Sequence, residues 1–159
     1  MTMETQERIG SFFRFEDLRV YAKATDYSSW LMANLRNPDN EMQRSLATAF
    51  CRSSFDIALN IAEGSSRSKG QFEHYLKISK TAIRECVVFT SVANARGLLD
   101  DTQREQSRTM LMELTRMIGA LIISLQRGGG RRPDEERYDE PEPENDEPLD
   151  ALDRIDTNF

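Results

Sequence analysis

Apolar residues recur at steps of three and four through most of the first 127 positions, which is the spacing of one face of a helix. The pattern predicts four long helices, and no stretch alternates in the way that a strand requires. Because the predicted helices are joined by short connections, neighbouring helices are expected to run antiparallel. The fold class predicted from the sequence is therefore all-α, an up-down-up-down antiparallel four-helix bundle over residues 15–127. The predicted helices span residues 16–35, 38–63, 69–96 and 102–126.

Capping residues predict where these helices begin and end. The predicted N-caps are Asn37, with Pro38 at the first helical position, then Ser68 and Thr102, the last two each in a Ser/Thr-x-x-Gln/Glu capping box. Gly64 is predicted to end the second helix in a left-handed conformation, and Gly97 to end the third. The connection between the second and third helices is thus predicted to be a tight hairpin.

The second helix carries two apolar faces rather than one. Its predicted core face contains Leu46, Phe50, Ser53, Ile57 and Ile61, and its second strip contains Cys51, Phe55, Ala58 and Ala62. A helix that is apolar on two sides needs two partners. The helix is therefore expected either to be central in the monomer or to contribute to an interface between subunits.

Charge divides the chain into two regions. Residues 1–127 contain 17 Lys and Arg against 15 Asp and Glu, whereas residues 128–159 contain 4 against 12. Beyond the glycines at 128–130 the apolar periodicity stops, and this composition predicts a disordered acidic C-terminal tail over 128–159. Residues 1–14 lack sustained periodicity and are predicted to be a flexible N-terminal segment. Four apolar residues near the end recur at helical spacing, either by chance or as a short helix that folds on a partner: Leu149, Leu152, Ile155 and Phe159.

The residue types needed for most catalytic and metal chemistry are scarce. The single histidine, His74, is in no Glu-x-x-His motif, and Cys51 and Cys86 lack the spacing of a zinc site. No glycine-rich phosphate loop follows a strand and no serine lies in a nucleophile turn. We therefore expect no metal, no cofactor, no catalytic residue and a protein that is not an enzyme.

The sequence also predicts the compartment. There is no run of about 18 apolar residues that would predict a membrane span, and the polar first ten residues do not resemble a signal peptide. The two cysteines are expected to be reduced. We expect a cytoplasmic protein that does not contact the membrane.

Polar stripes on the second and third helices are the main candidate for a binding site. Asn60 and Glu63 interrupt an otherwise apolar region of the second helix. On the third helix Lys77, Lys80 and Arg84 are like-charged residues at helical spacing, and such residues repel one another. The charges could form ion pairs between the helices of the hairpin, in which Asp56 and Glu63 bind Lys77, Arg67 or Lys80. Alternatively, the cations form a surface for the phosphates of a nucleic acid. The candidate nucleic-acid-binding residues are Arg52, Arg67, Lys69, Lys77, Lys80 and Arg84.

Two segments resemble a known family. The segment 15–21, Phe-Glu-Asp-Leu-Arg-Val-Tyr, and the segment 60–65, Asn-Ile-Ala-Glu-Gly-Ser, are similar to the four-helix-bundle proteins encoded in intervening sequences of bacterial 23S ribosomal RNA genes. The resemblance extends from about Phe15 to Leu125 and includes Asn60, Glu63 and Gly64 as family-motif residues. Where the family has an Arg-Arg pair, only Arg52 is present here. The acidic tail is not part of the family pattern.

The resemblance implies a homopentamer of bundles and a role in binding RNA. A related group, the accessory variability determinant proteins of diversity-generating retroelements, binds nucleic acid and a reverse transcriptase through a basic surface. The leading hypothesis is a non-enzymatic, oligomeric bundle that binds structured RNA, DNA or a ribonucleoprotein. The alternatives are a nucleic-acid and reverse-transcriptase-binding accessory protein, or a protein-interaction scaffold that binds no nucleic acid.

Overall fold

The structure is a computed structural model that describes residues 12–128. It contains a 3-10 turn, Arg14–Asp17, followed by four α-helices: α1 (Arg19–Asn34), α2 (Glu41–Ser65), α3 (Lys69–Ala95) and α4 (Asp101–Arg127). No strand occurs within these residues. The predicted all-α, four-helix architecture is confirmed. The predictions for the flexible first residues, for the acidic tail and for its apolar end lie outside the described residues, apart from positions 12–14 at the end of the N-terminal segment and Gly128 at the start of the tail.

Each helix packs on the next one along the chain, and the last helix packs on the first. The α2 helix packs on α1 and α3, and α4 packs on α3 and α1. Ser79 Oγ donates to the Ile57 carbonyl at 3.0 Å, and Ser53 Oγ donates to Glu85 at 2.8 Å, so residue numbers fall along α2 as they rise along α3. This opposite direction is compatible with the predicted up-down-up-down order.

The core is mostly apolar, and one chain of buried hydroxyl groups crosses it. The Tyr27 hydroxyl on α1 lies 2.9 Å from Ser107 Oγ on α4, which lies 2.7 Å from Thr90 Oγ1 on α3. Thr90 Oγ1 donates in turn to the Cys86 carbonyl at 2.7 Å. Buried polar groups are costly unless they are hydrogen-bonded, and here every one of these hydroxyls has a partner. Burial raises the pKa of Tyr27, so the hydroxyl stays protonated and three helices are joined.

Two of the three predicted N-caps are wrong. The N-cap of α2 is Asn40, whose side chain accepts a hydrogen bond from the Gln43 amide at 2.9 Å. The N-cap of α4 is Asp100, which forms a complete capping box with Gln103 at 2.7 and 2.9 Å. In both cases a second Asn/Asp-x-x-Gln sequence lies a few residues from the predicted cap and is used instead. Ser68 is confirmed as the N-cap of α3.

The prediction for Gly64 is also wrong. Among the described residues only Gly97 has a positive φ, 75°, and it follows α3 as predicted. Gly64 instead lies buried in the last turn of α2. A Cβ added there would lie 2.6 Å from Tyr75 Cβ and 2.9 Å from Phe72 Cδ2. Glycine is required at this position because α3 approaches too closely for any larger residue.

The α4 helix is more apolar than the sequence analysis predicted. One 18-residue stretch within it has a mean hydropathy of 1.2, which by length and composition alone would suffice to cross a membrane. Its residues Leu111, Leu114 and Ile118 are buried in the bundle core, and a core helix can show the same composition. Most of that stretch is not buried, so α4 also carries apolar side chains on its outer surface.

Candidate nucleic-acid interface

Three of the sequence-predicted residues form the tip of the α2–α3 hairpin. Glu63 and Arg67 form an ion pair, with Arg67 Nε 3.1 Å from Glu63 Oε1. The Arg67 guanidinium also lies over the Tyr75 ring, 5.7 Å from its centroid, in a cation–π contact. Gly64 lets Tyr75 approach this turn. Glu63, Gly64 and Arg67 therefore hold the two helices together at the tip, and the charge of Arg67 is already partly neutralised.

The remaining polar positions of α2 also bond locally. Asn60 Nδ2 donates to the Asp56 carbonyl at 2.8 Å, one turn earlier in the same helix, and Asn60 is half-buried. Within residues 12–128 Asp56 forms no ion pair, so the proposed pairing of Asp56 with a cation of α3 is not observed. The pairing predicted for Glu63 with Arg67 is present.

Lys69 binds the end of another helix. Its Nζ donates to the Gly128 carbonyl at 3.0 Å, just beyond the last residue of α4. A cation at a helix C-terminus satisfies carbonyl groups that have no partner in the helix and is favoured by the helix dipole. Lys69 therefore fixes the point at which the chain leaves the bundle.

Lys77 is paired within its own helix. Its Nζ lies 2.9 Å from Glu73 Oε1, and Gln126 of α4 donates to the same carboxylate at 2.9 Å. The hydrogen bonds from Lys77 and Gln126 hold the pKa of Glu73 below its usual range. This cluster joins the first half of α3 to the end of α4.

Arg52 lies apart from the other predicted cations. It is exposed on α2 and lines a groove between α1 and α2 together with Met32, Cys51 and Phe55. The cations of α3, by contrast, lie on the face that adjoins α4. The structure therefore does not bring Arg52 into one surface with Lys80 and Arg84.

Lys80 and Arg84 lie along the edge of α3 that faces α4. Two contacts define this edge: Glu73 bonds to Gln126 at one end, and Asn94 accepts from Arg104 at 3.3 Å at the other. Positions 73, 77, 80, 84, 87, 91 and 94 follow one another at steps of four and three, so they share one face of the helix. Lys80 is half-buried and Arg84 is exposed.

Two arginines of α4 that the sequence analysis missed complete this surface. Arg108 and Arg116 line a shallow groove of about 220 Å³ between α3 and α4, whose other lining residues are Val87, Leu111, Met112 and Thr115. Counting from the Thr90–Ser107 contact, Arg84 is level with a point between these two arginines. We call Lys80, Arg84, Arg108 and Arg116 the basic groove. Their spacing on α4 was visible in the sequence, but its alignment with α3 depends on the packing of two helices.

The basic groove has no compensating anions in the part of the chain that the structure describes. None of its four cations forms an ion pair or side-chain hydrogen bond there. Acidic residues of α4 bind other cations, since Glu113 lies 3.1 Å from Lys23 of α1 and Glu105 lies 3.1 Å from Arg104. Four like charges with no anion create a positive potential that attracts a polyanion.

Neither cysteine is placed as a reactive or ligating group. Residues 12–128 hold no cluster of three His, Cys, Asp or Glu side chains that could bind a metal ion. Cys51 and Cys86 are both free thiols. Burial raises the pKa of Cys86 to about 12 and also raises that of Cys51. Both side chains are therefore protonated at neutral pH and behave as small apolar groups.

Comparison with known proteins bears on these observations. The model of the family described as 23S rRNA-intervening sequence protein matches residues 16–120, which include the first three helices and most of α4. No curated protein was found to match the chain. The matched region contains the Glu63–Gly64 hairpin tip and the whole basic groove. The chain belongs to the 23S rRNA-intervening sequence protein family.

Proposed function

We propose that this chain is a non-enzymatic, cytoplasmic bundle that binds structured RNA through the basic groove. The observation that carries the proposal is the absence of any ion-pair partner, within residues 12–128, for Lys80, Arg84, Arg108 and Arg116. Cations held beside one another without anions are costly, and phosphate oxygens of a nucleic acid would remove that cost.

The shape of the groove favours backbone contacts over base recognition. It is shallow, its lining includes the apolar side chains of Val87, Leu111 and Met112, and its charged groups lie along two adjacent helices that run in opposite directions. Phosphate contacts need only cations on one face and supply affinity without sequence specificity. The proposed ligand is therefore recognised by its shape and phosphate spacing. A reverse-transcriptase ribonucleoprotein is the second candidate for the same surface.

Self-association is the second part of the proposal. On α2 the predicted second strip is only partly covered, since Phe55 is 40% exposed and its neighbour Leu59 is 61% exposed. The Ile57–Ser79 bond places Leu59 level with Ile78 of α3, which is 37% exposed. Phe55 also lines the groove between α1 and α2, so the three side chains lie on the outer surface of the helices and not between them. We call Phe55, Leu59 and Ile78 the apolar α2–α3 face. Large apolar side chains that stay exposed in the monomer are candidates for a protein interface, which supports a homo-oligomer; the number five is implied by the family resemblance.

A salt series tests the RNA-binding proposal. Fluorescence anisotropy of a labelled RNA hairpin would be measured against the wild-type chain and a Lys80→Ala, Arg84→Ala, Arg116→Ala variant. We expect wild-type affinity to fall steeply with salt, and the slope of log K against log salt to shrink by about 2 to 3 in the variant.

A matched variant distinguishes the groove from general surface charge. Arg19, Arg36 and Arg52 are exposed cations that form no ion pair in the described part of the chain and lie outside the basic groove. Replacing these three by alanine removes the same charge, and we expect it to leave the salt slope nearly unchanged. An equal loss in both variants would contradict the proposal, as would the absence of RNA binding at low salt.

A further inference from the structure

Apolar side chains line the basic groove beside two of its arginines. The groove of about 220 Å³ between α3 and α4 is lined by Val87, Leu111 and Met112 in addition to Arg108 and Arg116. We propose that this part of the groove takes the base of an unpaired nucleotide, so that the RNA bound there carries a bulge or a single-stranded loop. The inference rests on the function proposed above and narrows its ligand.

Met112 lies where phosphate contacts alone would leave an apolar side chain without an apolar partner. It is 50% exposed. Arg108 and Arg116 lie one helical turn before it and one turn after it, each about 6 Å away along the axis of α4. Residues four apart share one face of a helix, so phosphates bound to the two arginines would carry the intervening RNA across Met112. A base that lies against Met112 there removes apolar surface of both partners from water.

The two arginines can contact the base as well as the phosphates on either side of it. Within residues 12–128 neither Arg108 nor Arg116 forms an ion pair or a side-chain hydrogen bond. A guanidinium group is planar and stacks on the face of an unpaired base, which an ammonium group does not do. The groove therefore combines positive charge, a flat stacking group and an apolar side chain within two turns of one helix.

The size and the polar groups of the groove limit what it can recognise. A volume of about 220 Å³ is below the roughly 300–1,000 Å³ of pockets that enclose a drug-sized ligand, so it suits one flat ring system. Thr115, the uncharged polar side chain of the lining, already donates its hydroxyl proton to the Leu111 carbonyl at 2.9 Å. It has no proton left to donate to a base edge, so we expect weak discrimination among the four bases.

Base pairing decides which RNAs can place a base in the groove. In a continuous duplex each base is paired and stacked, and both contacts must be broken before the base can leave the helix. Bases in bulges and loops are unpaired and can be splayed out at little cost. The preferred ligand is therefore an unpaired nucleotide whose flanking phosphates remain available to the cations.

Three RNAs that share one stem test the contact with the base. The first is fully paired, the second has a single bulged adenosine, and the third has an abasic nucleotide in place of that adenosine. By fluorescence anisotropy with the full chain, we expect the bulged RNA to bind about tenfold more tightly than the other two. Because burial of a base releases no counterions, this ratio should persist as salt rises, while all three affinities fall.

A matched pair of substitutions assigns the preference to Met112. Met112→Gln keeps the net charge and the length of the side chain, and it should reduce the preference for the bulged over the abasic RNA to less than about threefold. Met32 is 61% exposed and lines the groove between α1 and α2 beside Arg52, so Met32→Gln is the control and should keep the tenfold preference. A full preference in Met112→Gln, or an equal loss in both variants, would overturn the proposal.

Photo-cross-linking locates the base independently of affinity. A 4-thiouridine at the bulge should join the tryptic peptide 109–116, which contains Met112, whereas a 4-thiouridine in the stem should not. Labelling of that peptide from the stem alone would overturn the proposal. Equal affinity for the three RNAs with a steep salt dependence would refute the base contact and leave the proposed function standing. The absence of binding to every RNA at low salt would refute both.

Discussion

Single residues decide how closely α2 and α3 approach each other at the hairpin tip. Gly64 faces Tyr75 and Phe72 at distances that a methyl group cannot occupy. Arg67 lies over the Tyr75 ring and also binds Glu63, which adds a second contact between the turn and this aromatic side chain. Glu63 and Gly64, which carry the family resemblance, therefore stabilise the helical hairpin that presents the cations of α3.

Replacing Gly64 by alanine should destabilise the bundle. The new Cβ would lie 2.6 Å from Tyr75 Cβ, which belongs to the rigid base of its side chain, so α3 would have to move. Overpacking of this kind costs about 1–3 kcal/mol. Urea unfolding followed by circular dichroism would measure the change.

Gly119 offers a matched control for that substitution. It lies inside α4, and a Cβ added there would meet no atom within 4 Å. Alanine is favoured over glycine in a helix interior by about 1 kcal/mol, so Gly119→Ala should be neutral or stabilising. Equal destabilisation by both substitutions would contradict the steric explanation for Gly64.

The buried hydroxyl chain predicts a dependence on alkaline pH. Tyr27→Phe removes one hydrogen bond and should lower the free energy of unfolding by about 1 kcal/mol at neutral pH. Because burial raises the pKa of Tyr27 in the folded state, the wild-type chain should keep its full stability below the unfolded pKa of about 10. As pH rises further, the unfolded tyrosine loses its proton and the folded one does not, so stability falls.

The phenylalanine variant lacks this source of alkaline instability. Cys86, whose pKa burial raises to about 12, contributes a decline in both proteins. The gap in unfolding free energy between wild type and Tyr27→Phe should therefore narrow between pH 9 and 11. Parallel curves in urea titrations over this range would show that Tyr27 ionises equally in both states.

At the scale of helices, the spacing of apolar residues predicted more of the fold than the capping motifs did. The number of helices and the buried positions Phe50, Ile57 and Ile61 follow from the spacing of apolar residues, whereas the end of α3 follows from the capping residue Gly97. The starts of α2 and α4 did not, because two overlapping caps compete within a few residues and local sequence does not rank them. The role of Gly64 depends on the approach of another helix and could not be read from α2 alone.

The choice of cap at α4 can be tested directly. Asp100→Ala removes a side chain that accepts from the Gln103 amide at 2.7 Å, and it should cost about 1 kcal/mol of stability. Thr102→Ala changes the cap predicted from the sequence, which lies within the helix and is exposed. A surface substitution of that kind should stay within about 0.5 kcal/mol. Thermal unfolding would compare the two, and a larger effect at Thr102 would contradict the observed cap.

At the scale of the whole molecule, the two candidate surfaces lie on different sides of α3. Its edge towards α4 carries the basic groove, and its edge towards α2 carries Ile78 of the apolar α2–α3 face, with exposed positions such as Val88 between them. Lys80 and Arg84 were predicted from the sequence, whereas Arg108 and Arg116 required the alignment of two helices. With separate surfaces, subunits can associate through one edge while leaving the other accessible to RNA.

The proposed association predicts the effect of one charged substitution. Leu59 is 61% exposed and belongs to the apolar α2–α3 face, and Leu59→Glu would place a charge that a subunit interface would bury. Burying an unpaired charge is costly enough to dissociate an oligomer. Sedimentation velocity should show an oligomer for wild type and a smaller species for Leu59→Glu, with unchanged helix content.

An equal change on the outer surface of α4 provides the control. Ile123 is 48% exposed and lies on a helix that does not form the apolar α2–α3 face. Ile123→Glu adds the same charge to an apolar surface and should leave the sedimentation coefficient unchanged. A monomeric wild type would contradict self-association altogether. An oligomer lost in Ile123→Glu but kept in Leu59→Glu would move the interface to α4, because the exposed apolar residues of that helix would then be the ones that subunits bury.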